Sequence, residues 1–373
     1  MNILLDARAA ISYLPGVKRY VSRLGAAMAR ALPESGDTLS VIVHDKDSLH
    51  EIAGPGVKRL VCDLSPFDPR QARAVADIAA AVKPDVFHTP FYTSPSVPGV
   101  PAVLTMHDCV PMMCPSETSS QERLLFRRVA HEALRACTLS ISVSETTRHD
   151  CLELFPDIRG KFRTIPHGVE EAFAPQSAER HEAVAAAYGL TRPYLLYLGS
   201  NRPHKNLATL LAGYVRAKPL LQGRSLVLAG AACEPQRRDQ EFVRFLGLET
   251  DVRWPGRIAS EDVPALLSGA DALVLPSFYE GFGLPVLEAM ACGTPVICSN
   301  APGLRELGGN SVVYFDPASE EDLAQALLSG LGDSDARRRR VADGRSRASL
   351  YRWDNVLAST RSVYQEAITR FAK

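Results

Sequence analysis

A chain of 373 residues, 46% of them hydrophobic, carries apolar side chain enough for more than one core, and at ~100–200 residues per domain it divides into two. Lys plus Arg and Asp plus Glu each total 42, so the net charge is zero and no global field favours nucleic acid or an acidic partner. The start, MNILLD, lacks the basic opening and long apolar stretch of a signal peptide, and no run reaches the ~18–20 apolar residues of a membrane span, so neither feature is expected.

In chain order, short apolar runs alternate with amphipathic stretches, the pattern of parallel sheets covered by helices. Strands are expected at NILLD, LSVIVH, RLVCD, DVFHT, AVLTMHD, LSISVS and FRTIP, with helices over 18–32 and 122–137. A polar, Pro- and Ala-bearing connection then interrupts the series, placing a hinge at about 170–190. The series resumes with YLLYLG, SLVLAG, VRWPG, ALVLPS, PVICS and VVYFD, and with helices over 205–216, 260–270 and 319–331. Two α/β domains follow, 1–172 and 188–352, and the remaining 353–373 has the apolar spacing of a helix that must dock on a core.

The eight cysteines lie mostly in apolar surroundings and read as small buried hydrophobes in a reducing compartment, so the chain is placed in the cytoplasm, free or resting on a membrane surface. Cys109 and Cys114 with His107 come nearest to a metal motif, but Pro111 and the lack of a second cysteine pair argue against zinc. Asp333-Ser334-Asp335 reads as a solvated loop, and Arg337–Arg340 as a solvated helix face.

In open α/β sheets ligands sit beyond the carboxyl ends of strands, where glycine turns enter helices. Such turns occur at Asp6 to Gly16, His107-Asp108, Ser144-Glu145, His167-Gly168, Gly199 to Lys205, Gly230, Gly256-Arg257, and above all FYEGFGLPVLEAMACGTPV at 278–296. There a strand through Pro276 leads into a loop ending at Gly283 and a helix from Leu284, with Pro285 in its first turn and Gly293 and Pro295 ending it. Amides of the glycine loop form a cradle for anions and hydroxyls, and Glu280 and Glu288, the latter placed in the first helical turn, are able to face one ligand. A carboxylate suits a vicinal diol, whose two hydroxyls it accepts together. From spacing alone, a helix-complementing Glu288 and a solvated Glu280 explain the stretch equally well.

EGFGLPVLEAMACGTPVICSN resembles the Glu-x7-Glu signature of retaining glycosyltransferase family 4, whose GT-B fold has two facing Rossmann-like domains. The resemblance runs along most of the chain through PGVKRYVSRL, LTMHDCVP, SISVSETTRHDCLELFP, FRTIPHGVEEAF, YLLYLGSNRPHKNLATLL and VVYFDP, in the family's order. It implies an N-terminal acceptor domain joined by the C-terminal helix 353–373 crossing back to it, and a C-terminal nucleotide-sugar domain.

It implies further that Glu288 holds the donor ribose and Glu280 the donor sugar, with the backbone of Phe282, Gly283 and Leu284 on sugar hydroxyls and phosphate. Lys205 matches the lysine on the diphosphate, and His107 the histidine that approaches the donor sugar; a structural histidine satisfied by backbone is the alternative for His107. Gly16 matches a glycine whose amide meets the diphosphate, and Arg257 with Ile258 falls where the base pocket is lined. The family's usual second cation is missing, its positions being Ser200 and His204, which leaves Arg202 to stand in or to be a solvent-facing loop arginine. Transfer would need no metal or other cofactor. The donor is expected to be a GDP-mannose-type sugar, with UDP-sugars the alternative, and the acceptor a saccharide or polyprenyl-diphosphate-linked saccharide in surface polysaccharide or glycolipid assembly. The arginine- and leucine-bearing 119–137 stretch then rests on the inner face of the cell membrane or, alternatively, packs as an ordinary charged surface helix. A non-catalytic GT-B scaffold and a nucleotide-sugar epimerase are the competing classes.

Overall fold

Every apolar run expected to pair becomes a strand. The computed structural model describes residues 1–11, 14–45, 49–95, 97–233 and 235–373, with 231 and 232 as backbone alone. The first sheet contains β1 (Asn2–Asp6), β2 (Thr38–Val43), β3 (Val57–Val61), β4 (Val86–Thr89), β5 (Ala102–Met106), β6 (Leu139–Ser142) and β7 (Phe162–Thr164). The second contains β8 (Tyr194–Ser200), β9 (Ser225–Ala232), β10 (Val252–Gly256), β11 (Ala272–Leu275), β12 (Val296–Ser299) and β13 (Val313–Phe315). All pairings are parallel, in the orders β3-β2-β1-β4-β5-β6-β7 and β10-β9-β8-β11-β12-β13. Helices cover both faces of a parallel sheet, which is why β4, β6, β11 and β12 are buried at every position and read as unbroken apolar runs.

Strand order reverses between β1 and β4 in the first sheet and between β8 and β11 in the second. Those switch points open a crevice at the carboxyl ends of the strands. Thus the segments after Asp6, Thr89, Ser200 and Leu275 are where this fold holds ligands.

The chain forms two units, one of Met1–Gly168 with Arg352–Lys373 and the other Val169–Tyr351. The helix Trp353–Phe371 belongs to the first unit: Val356, Val363, Tyr364 and Ala367 enter a core with Leu5 of β1, Val41 of β2, and Val21, Leu24 and Met28 of the helix Pro15–Ser35. Ion pairs Arg163–Glu366 and Arg361–Asp37 fasten it to the sheet end and to the turn before β2. The stretch expected to be a hinge packs instead within the second unit. Gln176 N–H donates to Ser268 Oγ at 3.1 Å, and Arg180 and Tyr188 reach Asp262 at 2.7 and 3.0 Å.

Two local expectations change. Asp333, Ser334 and Asp335 are solvent-exposed as expected, but Ser334 and Asp335 are helical, because the Asp333 carboxylate caps the helix Ser334–Ala348 by accepting from the amides of Asp335 and Ala336. In the arginine run that follows, Arg338 and Arg339 are exposed while Arg337 and Arg340 are half-buried, so the run is only partly a solvated face.

Gly230, in β9, has φ +147°, and a Cβ there would stand 1.9 Å from the Gly199 carbonyl oxygen. Gly230→Ala is therefore expected to cost about 3 kcal/mol or more through backbone strain and overlap. Gly332→Ala, at a helix end with open space around it, should stay within about 0.5 kcal/mol of wild type. Urea midpoints of the two variants test the contrast, and equal midpoints would contradict this packing.

Candidate active site

In the second unit, β8 ends at Ser200 and the chain makes a 3-10 turn, Pro203–Lys205, before the helix Leu207–Ala217. β11 ends at Leu275 and the glycine loop begins. Two bonds stitch these loops together: Phe278 N–H donates to the His204 carbonyl at 2.8 Å, and Asn206 Nδ2 donates to the Pro276 carbonyl at 3.1 Å. The stitching brings Lys205 Nζ to 2.7 and 2.9 Å from the two oxygens of Glu280, whose Oε1 also accepts from Ser277 Oγ at 2.7 Å. Ser277 is itself held, its carbonyl accepting from Ser299 Oγ at 2.5 Å.

Only 12% of the Glu280 side chain is exposed. Burial by itself raises its pKa, but the Lys205 charge, the hydrogen bonds from Lys205 and Ser277, and the His204 charge together hold it below the ordinary value. Burial and then the Glu280 charge push the nearby Cys298 thiol up, so it stays protonated. The site thus carries a fixed carboxylate with an ammonium lying against it.

Gly283 caps the helix Leu284–Cys292 at φ +99°, a conformation that a side chain would strain, and Gly293 ends it in the left-handed region. Underneath, Gly303 allows close approach: a Cβ there would stand 2.2 Å from the Glu280 carbonyl oxygen. Phe282 is buried edge-on to Tyr351, ring centroids 6.0 Å apart. Glu288 is the fifth residue of the helix and so opens its second turn, not its first, and it is buried. Burial and then its charge push Cys292 up to about 12. Arg202 is exposed just before Pro203, and Arg257 is exposed after β10 with Ile258 buried beside it, two strands from β8 in the sheet.

In the first unit, Gly16 lies in the first turn of the helix Pro15–Ser35, exposed, with open space where a Cβ would be. Tyr20, one turn later, meets the His107 ring edge-on at 4.9 Å, which ties the Gly16 helix to the end of β5. His107 Nε2 lies 3.0 Å from the Pro90 carbonyl after β4, so that nitrogen carries the proton and donates, leaving Nδ1 the acceptor in the neutral ring. His167 stacks on His107 at 5.5 Å. Burial lowers both pKa values; the Asp108 charge and the Pro90 bond work against this at His107, while the His107 charge lowers His167 further. Both rings are neutral at pH 7.

Lys205, Glu280, the Phe282–Leu284 backbone and Glu288 are thus brought to one loop-and-helix element of the second unit, and Gly16 and His107 to one edge of the first. Ser277, Gly303, Tyr20 and His167 complete these arrangements. His167 had a sequence signal in its glycine turn; a serine three residues before the loop glutamate was the only hint of Ser277.

Parallel six- and seven-stranded Rossmann-like sheets, with ligand-ready loops at the carboxyl ends of their strands, define a GT-B architecture. Sucrose-phosphate synthase from Thermosynechococcus elongatus superposes with a TM-score of 0.80 at 23% identity, covering 98% of each chain. Anabaena HepE, solved in complex with UDP-glucose, gives 0.77 at 18% identity, covering 98% of this chain and all of that one. Residues 16–173 match the description Glycosyltransferase Family 4, and 182–347 match Glycosyl transferases group 1. O-antigen chain mannosyltransferase B of Escherichia coli is 31% identical over 299 residues, spanning 79% of this chain and 77% of that protein. The chain belongs to glycosyltransferase family 4.

Removing one partner of the Lys205–Glu280 pair leaves a largely buried charge alone, so Lys205→Met is expected to cost about 3 kcal/mol at pH 7. In the wild type the lowered Glu280 pKa contributes stability above the ordinary carboxylate range of ~4.3, and this is lost as pH falls through the folded value. In the variant burial prevails and the carboxyl takes up its proton at higher pH, so the gap should narrow toward pH 4. Urea midpoints at pH 7 and pH 4 measure it, and an unchanged gap would refute the assignment.

Proposed function

We propose that this family 4 enzyme transfers a hexosyl group, with retention, from a nucleoside-diphosphate sugar to a saccharide or polyprenyl-diphosphate-linked saccharide acceptor. A GDP-mannose-type donor is favoured by the likeness to an O-antigen chain mannosyltransferase; a UDP-sugar is the alternative, since the similar HepE was solved with UDP-glucose. The observation that carries the reading is the Lys205 ammonium held against the Glu280 carboxylate at the switch point of the second sheet.

A diphosphate entering there competes with Glu280 for Lys205 and frees the carboxylate to accept sugar hydroxyls. The C1–oxygen bond to the diphosphate breaks, and its electron pair goes to the diphosphate. The acceptor hydroxyl attacks from the same face, and its proton passes to the departing diphosphate oxygen. Lys205, Arg202 and the amides of the glycine loop and of Gly16 neutralise the growing charge, with no metal ion required. Glu288 holds the ribose, Arg257 and Ile258 line the base, and neutral His107 accepts from, or packs on, the donor sugar.

The acceptor assignment draws on the helix Ser120–Ala136. Leu124 and Leu125 are 70% and 59% exposed beside the exposed Arg127 and Arg128. Arg123 is spent on the Pro115 and Thr118 carbonyls, and Arg135 faces Asp157, so the apolar pair supplies most of the attraction to a lipid surface on the cytoplasmic side of the membrane. Among the described residues no helix is long and apolar enough to cross a membrane.

Glu280→Gln and Lys205→Ala are each expected to lower kcat by about 100-fold or more while far-ultraviolet circular dichroism is unchanged. Chelation by EDTA should leave the wild-type rate as it was, and proton NMR of the fresh product should show the donor's anomeric configuration. Wild-type rates in both variants, or an inverted product, would overturn the reading. A thermal-shift panel of GDP-, UDP-, ADP- and dTDP-sugars selects the base, because the bound ligand raises the melting temperature. Leu124→Glu/Leu125→Glu should cut sedimentation with anionic vesicles several-fold without changing transfer to a water-soluble acceptor; equal sedimentation would remove the membrane contact.

A further inference from the structure

Beneath His107 lies an unbroken line of hydrogen bonds that the proposed chemistry does not use. Tyr364 Oη, on the C-terminal helix, is 2.6 Å from His88 Nδ1. His88 Nε2 is 2.8 Å from Thr105 Oγ1, and Thr105 Oγ1 is 3.2 Å from Tyr20 Oη. His88 and Thr105 occupy the neighbouring strands β4 and β5, each one residue before the carboxyl end of its strand, and all four side chains are buried. The Tyr20 ring then touches His107 at 4.9 Å, His167 at 5.2 Å and Trp353 at 6.1 Å.

We propose that Tyr364, His88, Thr105 and Tyr20 form a positioning chain that lets the C-terminal helix set where the His107–His167 pair and the Gly16 helix stand in the donor site. The inference rests on the reading of His107 as a group facing the donor sugar.

Counting protons gives the chain its direction. Burial, and then the His107 charge, lowers the His88 pKa to about 3, so the imidazole is neutral with one N–H donor and one acceptor nitrogen. Four groups bring four protons to three links, and among the described residues neither tyrosine hydroxyl has a second partner. The phenol is the stronger donor and the imidazole nitrogen the stronger acceptor, in keeping with the shortest link lying between Tyr364 and His88. Tyr364 therefore donates to Nδ1, His88 Nε2–H donates to Thr105, and Thr105 donates to the Tyr20 oxygen. Every member is oriented by the one before it, and the proton left over is that of the Tyr20 hydroxyl, at the end of the line.

An apolar core would fix Tyr20 less narrowly, because packing alone tolerates rotamer shifts that directional bonds do not. The consequence reaches two site elements at once. Tyr20 sits one helical turn after Gly16, and its ring is the wall on which His107 and His167 both lean edge-on.

Tyr364→Phe removes one hydroxyl and no carbon, so it tests the chain without emptying the core. It is expected to lower kcat about 10-fold through misplacement of His107, with the donor KM within twofold of wild type. Thr105→Val should do the same, and Thr105→Ser, which keeps the hydroxyl, should restore the wild-type rate. In a His107→Ala background Tyr364→Phe should add no further loss. Long-range proton–nitrogen NMR of the histidine rings should show His107 and His167 shifted in Tyr364→Phe. Ring resonances of His107 and His167 that stay in place, or a kcat loss of equal size with and without His107, would overturn the chain. Shifted rings in an enzyme whose His107→Ala variant transfers at the wild-type rate would uphold the chain as what places His107 and remove instead the role given to His107 in transfer.

Discussion

The Lys205–Glu280 ion pair depends on the reversal of strand order between β8 and β11. Because those two strands are neighbours in space, the loops that leave them emerge side by side, and a lysine and a glutamate 75 positions apart in sequence become partners. The neighbouring features serve that meeting: two stitches between the loops, Ser277 on the carboxylate, Gly303 making room below, and Gly283 ending the loop where the helix Leu284–Cys292 starts. A charge pair with so little solvent is worth little to stability against an apolar substitute, but in the proposed reaction it holds a cation and an anion that an incoming diphosphate and its sugar hydroxyls would exchange.

The first unit answers the same constraint differently. Around its histidine pair, aromatic and neutral imidazole rings pack together: burial holds His88, His107 and His167 unprotonated, and His107 spends one nitrogen on the Pro90 carbonyl. That bond is what a purely structural histidine would make. It occupies only Nε2, however, and leaves Nδ1 an acceptor.

The thirteen strands among the described residues were legible because parallel strands buried on both faces leave continuous apolar runs, and the EGFG turn was legible because glycine, proline and helix period coincide there. Contacts between segments far apart were not. The 170–190 stretch looks like a linker from its composition, yet bonds from Gln176, Arg180 and Tyr188 to the 262–268 region, visible only in three dimensions, bind it to the second unit. Ser334 and Asp335 read as loop because the cap that starts their helix, Asp333, acts on backbone amides. Tyr364 and His88 are separated by 276 positions, and neither stands in a motif. Residues whose roles come from local backbone geometry announced themselves; those whose roles come from a distant partner did not.

The C-terminal helix has a consequence in time as well as in space. The core that Tyr364 and its neighbours complete is begun by residues 1–168 and closed only by 352–373, with the whole of Val169–Tyr351 made in between. At ~5–20 residues per second of synthesis, the first unit waits roughly 10–40 s with one apolar face uncovered, whereas the second unit is one continuous stretch whose chain is complete before 352–373 is made. The second unit is therefore the one able to mature first on the ribosome, and the first unit, with its histidine pair, closes its core after it.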